Sequence, residues 1–73
     1  MLSKEQVNKI REEYPKGTRI ELLAPLEDKF SKLQAGDKGT VRGVDDAGSI
    51  MINWDIGSSL SLLVGIDKFK RCE

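Results

Sequence analysis

Two glycine-marked turns bracket two alternating apolar strands within residues 35–60, and a tight acidic turn joins the strands. Gly36-Asp37-Lys38-Gly39-Thr40-Val41 opens this block, Asp45-Asp46-Ala47-Gly48 reverses it, and Asn53-Trp54-Asp55-Ile56-Gly57-Ser58-Ser59-Leu60 closes it. Asp favours the start of a hairpin turn, and Gly48 can take the positive φ needed to enter the next strand. Gly43 falls inside the strand predicted over residues 39–44, which marks a bulge or a sharp bend. The strand predicted over residues 49–54 places Ile50, Ile52 and Trp54 on one face. Short strands bent in this way predict a small β-barrel.

The rest of the chain fits around that block. Ser3 and Gln6 have the spacing of a capping box, and Val7, Ile10 and Tyr14 recur at helical intervals, so a helix is expected over Lys4–Glu13. Its apolar stripe is narrow, suited to docking on a barrel or on a second copy. Pro15 and Gly17 end it. Residues 18–23 read as a first strand, with Arg19 and Glu21 on one face and Thr18, Ile20 and Leu22 on the other. The charged segment 26–34 suits a surface loop pinned by Phe30 and Leu33. A further strand is expected over residues 59–63 with Leu60 and Leu62 inward, then a short turn leading to a last strand, with Ile66 and Phe69 in the core. The expected architecture is therefore mainly β: a five-stranded SH3-like barrel over residues 15–73, preceded by a helical segment over residues 1–14.

With 73 residues the chain is one unit, near the lower limit for a core without a metal or disulfide. Its 12 basic and 12 acidic side chains cancel, which removes a global field for a polyanion or a membrane surface. Cys72 is the single cysteine, so no internal disulfide framework is available and a cytoplasmic setting is expected. No apolar run is long enough to span a bilayer, and the polar start Met1-Leu2-Ser3-Lys4-Glu5-Gln6 lacks a signal-peptide core, so the mature protein is expected to begin there.

The motifs weigh against catalysis. The loop from Gly36 to Gly39 lacks the Gly-Lys-Ser/Thr ending of a phosphate cradle and precedes a strand, so both glycines are read as turn residues. Asp55 is expected to cap its turn by accepting N–H bonds from Gly57 or Ser58, and Trp54 to pack in the core. Ser58, Ser59 and Ser61 have no histidine to activate them, since the chain contains none. Asp45 and Asp46 are neighbours on a turn and point apart, and Cys72 alone cannot build a zinc site. No enzyme activity and no cofactor are expected. Lys29, Lys32, Lys38, Arg42, Lys68, Lys70 and Arg71 are the candidate basic patch, but Glu27, Asp28, Asp37 and Asp67 are interleaved with them, the pattern of a solvated mixed face.

Tyr14-Pro15-Lys16-Gly17-Thr18-Arg19-Ile20-Glu21-Leu22, Gly39-Thr40-Val41-Arg42-Gly43-Val44-Asp45-Asp46 and Ile52-Asn53-Trp54-Asp55-Ile56-Gly57-Ser58-Ser59-Leu60, followed by Gly65-Ile66-Asp67, together resemble a small uncharacterised family, domain of unknown function 4314. That family is found in phages, plasmids and integrative elements of bacteria, so the resemblance implies a mobile-element context. The Gly-Thr-Val and Trp-Asp-x-Gly-Ser pair is also similar, more loosely, to the SH3-like domains of the Mind bomb and HERC class, which bind peptide segments. Where those domains place an aromatic residue after the Gly-Ser turn, this chain has Leu60, Leu62 and Leu63.

The expected function is a non-enzymatic protein-binding module that occludes or bridges a host or element-encoded protein. Its expected rim consists of Phe30, Asp45, Asp46, Trp54, Asp55, Ile56, Ser58 and Ser59, because small barrels concentrate recognition in their end loops. The alternative is a nucleic-acid-binding accessory domain using the basic residues. A third expectation is a homo-oligomer paired through the N-terminal helix.

Overall fold

The computed structural model describes residues 2–26 and 32–72. Helix α1 spans Lys4–Glu13, and its capping box is complete. The Ser3 hydroxyl accepts the Gln6 N–H at 3.1 Å, while the Gln6 side-chain oxygen accepts the Ser3 N–H at 2.7 Å. These two bonds satisfy donors that every helix N-terminus leaves open.

Four antiparallel strands follow: β1 over Arg19–Leu22, β2 over Lys38–Val44, β3 over Ile50–Trp54 and β4 over Phe69–Cys72. Among the described residues they form one open sheet in the order β3-β2-β1-β4, so the last strand returns beside the first. Alternation sends Ile20 and Leu22, Val41, and Ile50, Ile52 and Trp54 to one face, where all are buried. The register between β2 and β3 shifts between Val41 and Gly43, leaving Arg42 as the extra residue of a bulge at the expected place. Gly39 is not a turn residue. It lies in β2 opposite Trp54, where a Cβ would stand 2.5 Å from Ile52 Cγ2 and 3.1 Å from Trp54 Cα.

Residues 59–63 do not form the expected fifth strand; they contribute one bridge, Ile50 with Leu62, through two N–H···O bonds of 2.8 Å. The reason lies at Leu60, whose backbone groups are taken by side chains instead of a ladder. Its N–H donates to Ser58 Oγ at 3.3 Å and its carbonyl accepts the Trp54 indole N–H at 2.8 Å. Leu62 is buried as expected, and Leu60 is half-buried against the core.

The core also takes in the helix. Val7 and Ile10 are buried in the same cluster as Ile20, Leu22, Leu33, Val41, Val44 and Leu62, so the apolar stripe of α1 is covered by the chain's own sheet. α1 rests on the hairpin turn at Gly48, whose φ of +88° suits glycine and where a Cβ would collide with the Leu2 side chain while meeting Val7 and Ile10 at ordinary contact distance. Two arginines fasten its C-terminal end. Arg11 donates to the Val44 carbonyl at 3.2 Å, and Arg71 of β4 donates to the Glu13 carbonyl at 3.0 Å with its guanidinium 5.8 Å from the Tyr14 ring centroid. Tyr14 in turn packs on Phe69, with ring centroids 5.5 Å apart.

Ile66 is not in the core. The Leu63 carbonyl accepts the N–H groups of Ile66 and Asp67 at 3.2 and 2.9 Å, and the Asp67 carboxylate accepts the Leu63 N–H at 2.8 Å. This self-contained turn holds Ile66 off the sheet, 64% exposed, while Phe69 is half-buried beyond it. Leu33 is buried; Lys29 and Phe30, with the rest of residues 27–31 of the expected loop, lie outside the described residues.

Candidate interaction surface

Leu62-Leu63-Val64 is a run of three consecutive apolar residues, and in extended or turning backbone only part of such a run can face one core. Leu62 takes the buried position. Leu63, Val64 and Ile66 are left 41%, 45% and 64% exposed, and Leu2, just before the helix cap, is 38% exposed. The four side chains line one open groove of about 320 Å³, floored by Ala47 and Gly48 and edged by Gln6. A neighbouring depression shares Leu2 and Val64 and runs along α1 past Ile10 to Glu13. Three separate parts of the chain thus build one apolar surface: the residue before α1, the β2–β3 turn and the segment before β4.

The residues expected at a binding rim are placed differently. Asp45 organises its own turn, its carboxylate accepting the N–H groups of Ala47 and Ser49 at 3.0 and 2.9 Å. Asp46 pairs with Arg11 at 3.1 Å on the surface. Trp54 is 4% exposed and belongs to the core. The Ser58 carbonyl accepts the Trp54 N–H at 3.0 Å, and Ser59 is exposed. Ile56 stands 54% exposed at the end of β3 remote from Gly48, away from the groove.

Asp55 does not cap its turn. Both of its carboxylate oxygens accept from Arg19, at 2.8 and 2.6 Å, and the same guanidinium donates to Thr40 at 2.9 Å. The Arg19 hydrogen bonds hold the Asp55 carboxyl below its ordinary range, and the same bonds raise Arg19 above its own. The pair lies on the sheet's outer face, together with Glu21, which sits between Lys38 on β2 and Lys70 on β1's other side.

The basic residues do not converge. Lys38 and Lys70 share the outer face with Glu21 between them, Lys68 follows on Lys70's side just before β4, Arg71 points to the opposite face onto Tyr14, Arg42 stands exposed at the bulge, and Lys32 is exposed elsewhere. Cys72 is half-buried beside Arg19. Among the described residues no His, Cys, Asp or Glu side chains are grouped to hold a metal ion, and no helix is long and apolar enough to cross a membrane.

The groove was not singled out from the sequence. Its available signal was the excess of apolar residues over residues 62–66, more than one inward face can accept.

These features define a small antiparallel β domain with one docked helix and a shallow apolar surface. A family model described as Domain of unknown function (DUF4314) matches residues 3–72, and the chain belongs to that family. Neither a curated protein nor a solved structure matches it.

Proposed function

We propose that this protein is a non-enzymatic protein-binding module of a phage or other bacterial mobile element, which docks a host or element-encoded protein in the groove of Leu2, Leu63, Val64 and Ile66. The observation that carries the reading is the joint exposure of these four apolar side chains on one surface. Scattered surface leucines are ordinary, whereas contiguous exposed apolar side chains mark interaction sites. The mobile-element context rests on the resemblance of the ordered motifs. A relationship to SH3-like barrels is supported by the bulged β2, the tight hairpin and the return of β4 beside β1. A non-catalytic role is supported by the lack of histidine and by the engagement of Asp45, Asp46 and Asp55 in structural bonds.

Mechanistically, a partner covering the groove displaces water from apolar surface, and a few large side chains at the centre supply most of the binding energy. Occlusion or bridging of the partner follows from that contact alone.

The test is affinity capture from a nuclease-treated bacterial lysate with the wild-type protein and with Val64→Asp, Ile66→Asp and Ile56→Asp. Loss of a captured protein in the two groove variants, with retention by Ile56→Asp, supports the groove. A nucleic-acid role is the second reading, in which Lys38 and Lys70 on the shared outer face would act in spite of Glu21 between them. It requires binding that weakens steeply with salt and is abolished by nuclease.

A further inference from the structure

We infer that β4 is a strand-addition edge for an extended acidic segment of a partner protein, separate from the apolar groove. Among the described residues, β4 has β1 on one side and ends the sheet on the other. The Leu23 N–H donates to the Lys68 carbonyl at 2.8 Å, and the antiparallel register pairs Glu21 with Lys70 and Arg19 with Cys72. Hydrogen-bonded pairs alternate along an antiparallel ladder, so Lys68, Lys70 and Cys72 turn their backbone groups to β1, and Phe69 and Arg71 turn theirs to the outer edge. An added strand bonds to those two residues, as in other cases of strand addition.

Charge selects the occupant. Lys68 and Lys70 are exposed cations two residues apart, while Arg71 is turned to the Glu13 carbonyl and the Tyr14 ring. Edge cations of this kind are a common device against self-pairing, and here they set two β4 edges against each other. A second copy of this chain is therefore the wrong partner, and a strand carrying carboxylates is the complementary one. Lys68 stands one residue before β4, where its carbonyl bond to Leu23 continues the β1 register and puts it on the same side as Lys70, so glutamates or aspartates at alternate positions of the incoming strand meet both. An open cleft of about 700 Å³ adjoins the C-terminal end of β4, lined by Gly17, Thr18, Arg19, Arg71 and Cys72; Arg19 is already paired with Asp55 there, so the charge preference rests on Lys68 and Lys70.

The experiment titrates ¹⁵N-labelled protein with a short capped peptide alternating glutamate and valine, and with its lysine counterpart. The inference expects shifts at the Phe69 and Arg71 amides with the glutamate peptide only, and slowed exchange of those amides. In Lys68→Glu/Lys70→Glu protein the affinity for the glutamate peptide falls roughly tenfold or more and the lysine peptide becomes the better ligand. Equal response to both peptides, no response at Phe69 and Arg71, or shifts confined to Leu2, Leu63, Val64 and Ile66 would overturn it. The wild-type comparison decides the matter even if the double variant fails to fold. Loss of groove-dependent capture leaves this result untouched, because the two surfaces are read by different variants.

Discussion

The indole N–H of Trp54 donates to the carbonyl of Leu60 at 2.8 Å, fixing the segment after β3 across the buried face of the sheet. The ring is 4% exposed, so it fills the core and holds the chain's return path at once. Trp54→Ala is expected to cost ~3–5 kcal/mol, enough to abolish a cooperative thermal transition in a domain of this size. Trp54→Phe keeps most of the packing and loses the hydrogen bond, for which about 0.5–1.5 kcal/mol is expected. Thermal melts of both variants check the order.

Burial of Val7 and Ile10 with the sheet residues makes α1 part of the fold. Ile10→Ala is expected to destabilise the whole domain by ~2–5 kcal/mol. A chain starting at Tyr14 should lose chemical-shift dispersion in β2 and β3 as well. A truncated protein with an unchanged sheet spectrum would show that α1 is only an appendage.

Gly48 carries two demands, a left-handed backbone and the close approach of Leu2. Gly48→Ala is expected to cost roughly 1–2 kcal/mol from the backbone alone, with a further share from the displaced Leu2 side chain. Leu2→Ala in the same background should recover part of the steric share and none of the backbone share, which a double-mutant cycle measures.

The parts legible in the sequence were those set by near neighbours. The capping box located α1, alternation located the buried faces of β1 and β3, and Gly43 located the bulge. Asp55 was misread because its local option, capping its own turn, lost to Arg19, a partner 36 positions away that only the sheet register brings alongside. The fifth strand failed for a similar reason, since the pull of the Trp54 indole on Leu60 is a side-chain effect that alternation does not encode. The candidate surface was the least legible part. Leu2, Gly48 and Val64 meet only after α1 has docked, so nothing in their sequence spacing announces a common groove.

The Arg19–Asp55 pair gives a pH signature of known sign. The folded-state carboxyl is depressed by its Arg19 hydrogen bonds, so its contribution is fully present above the ordinary Asp range, near ~3.9, and is lost as pH falls through the lower folded value. Both side chains are partly exposed, and the effect is accordingly modest. Wild-type and Asp55→Asn proteins should differ in melting temperature at neutral pH and converge in strong acid. A difference that persists or grows in acid contradicts this assignment.

The most direct measurement of the central claim is hydrogen exchange on the protein alone and bound to the partner it captures, with Val64→Asp as the control. The groove reading predicts new protection over residues 63–66 and at the start of α1, unchanged exchange at residues 55–58, and no protection in Val64→Asp protein whose melting temperature matches wild type. Protection confined to residues 55–58, or to Lys38 and Lys70 on the outer face with the groove unaffected, would contradict it.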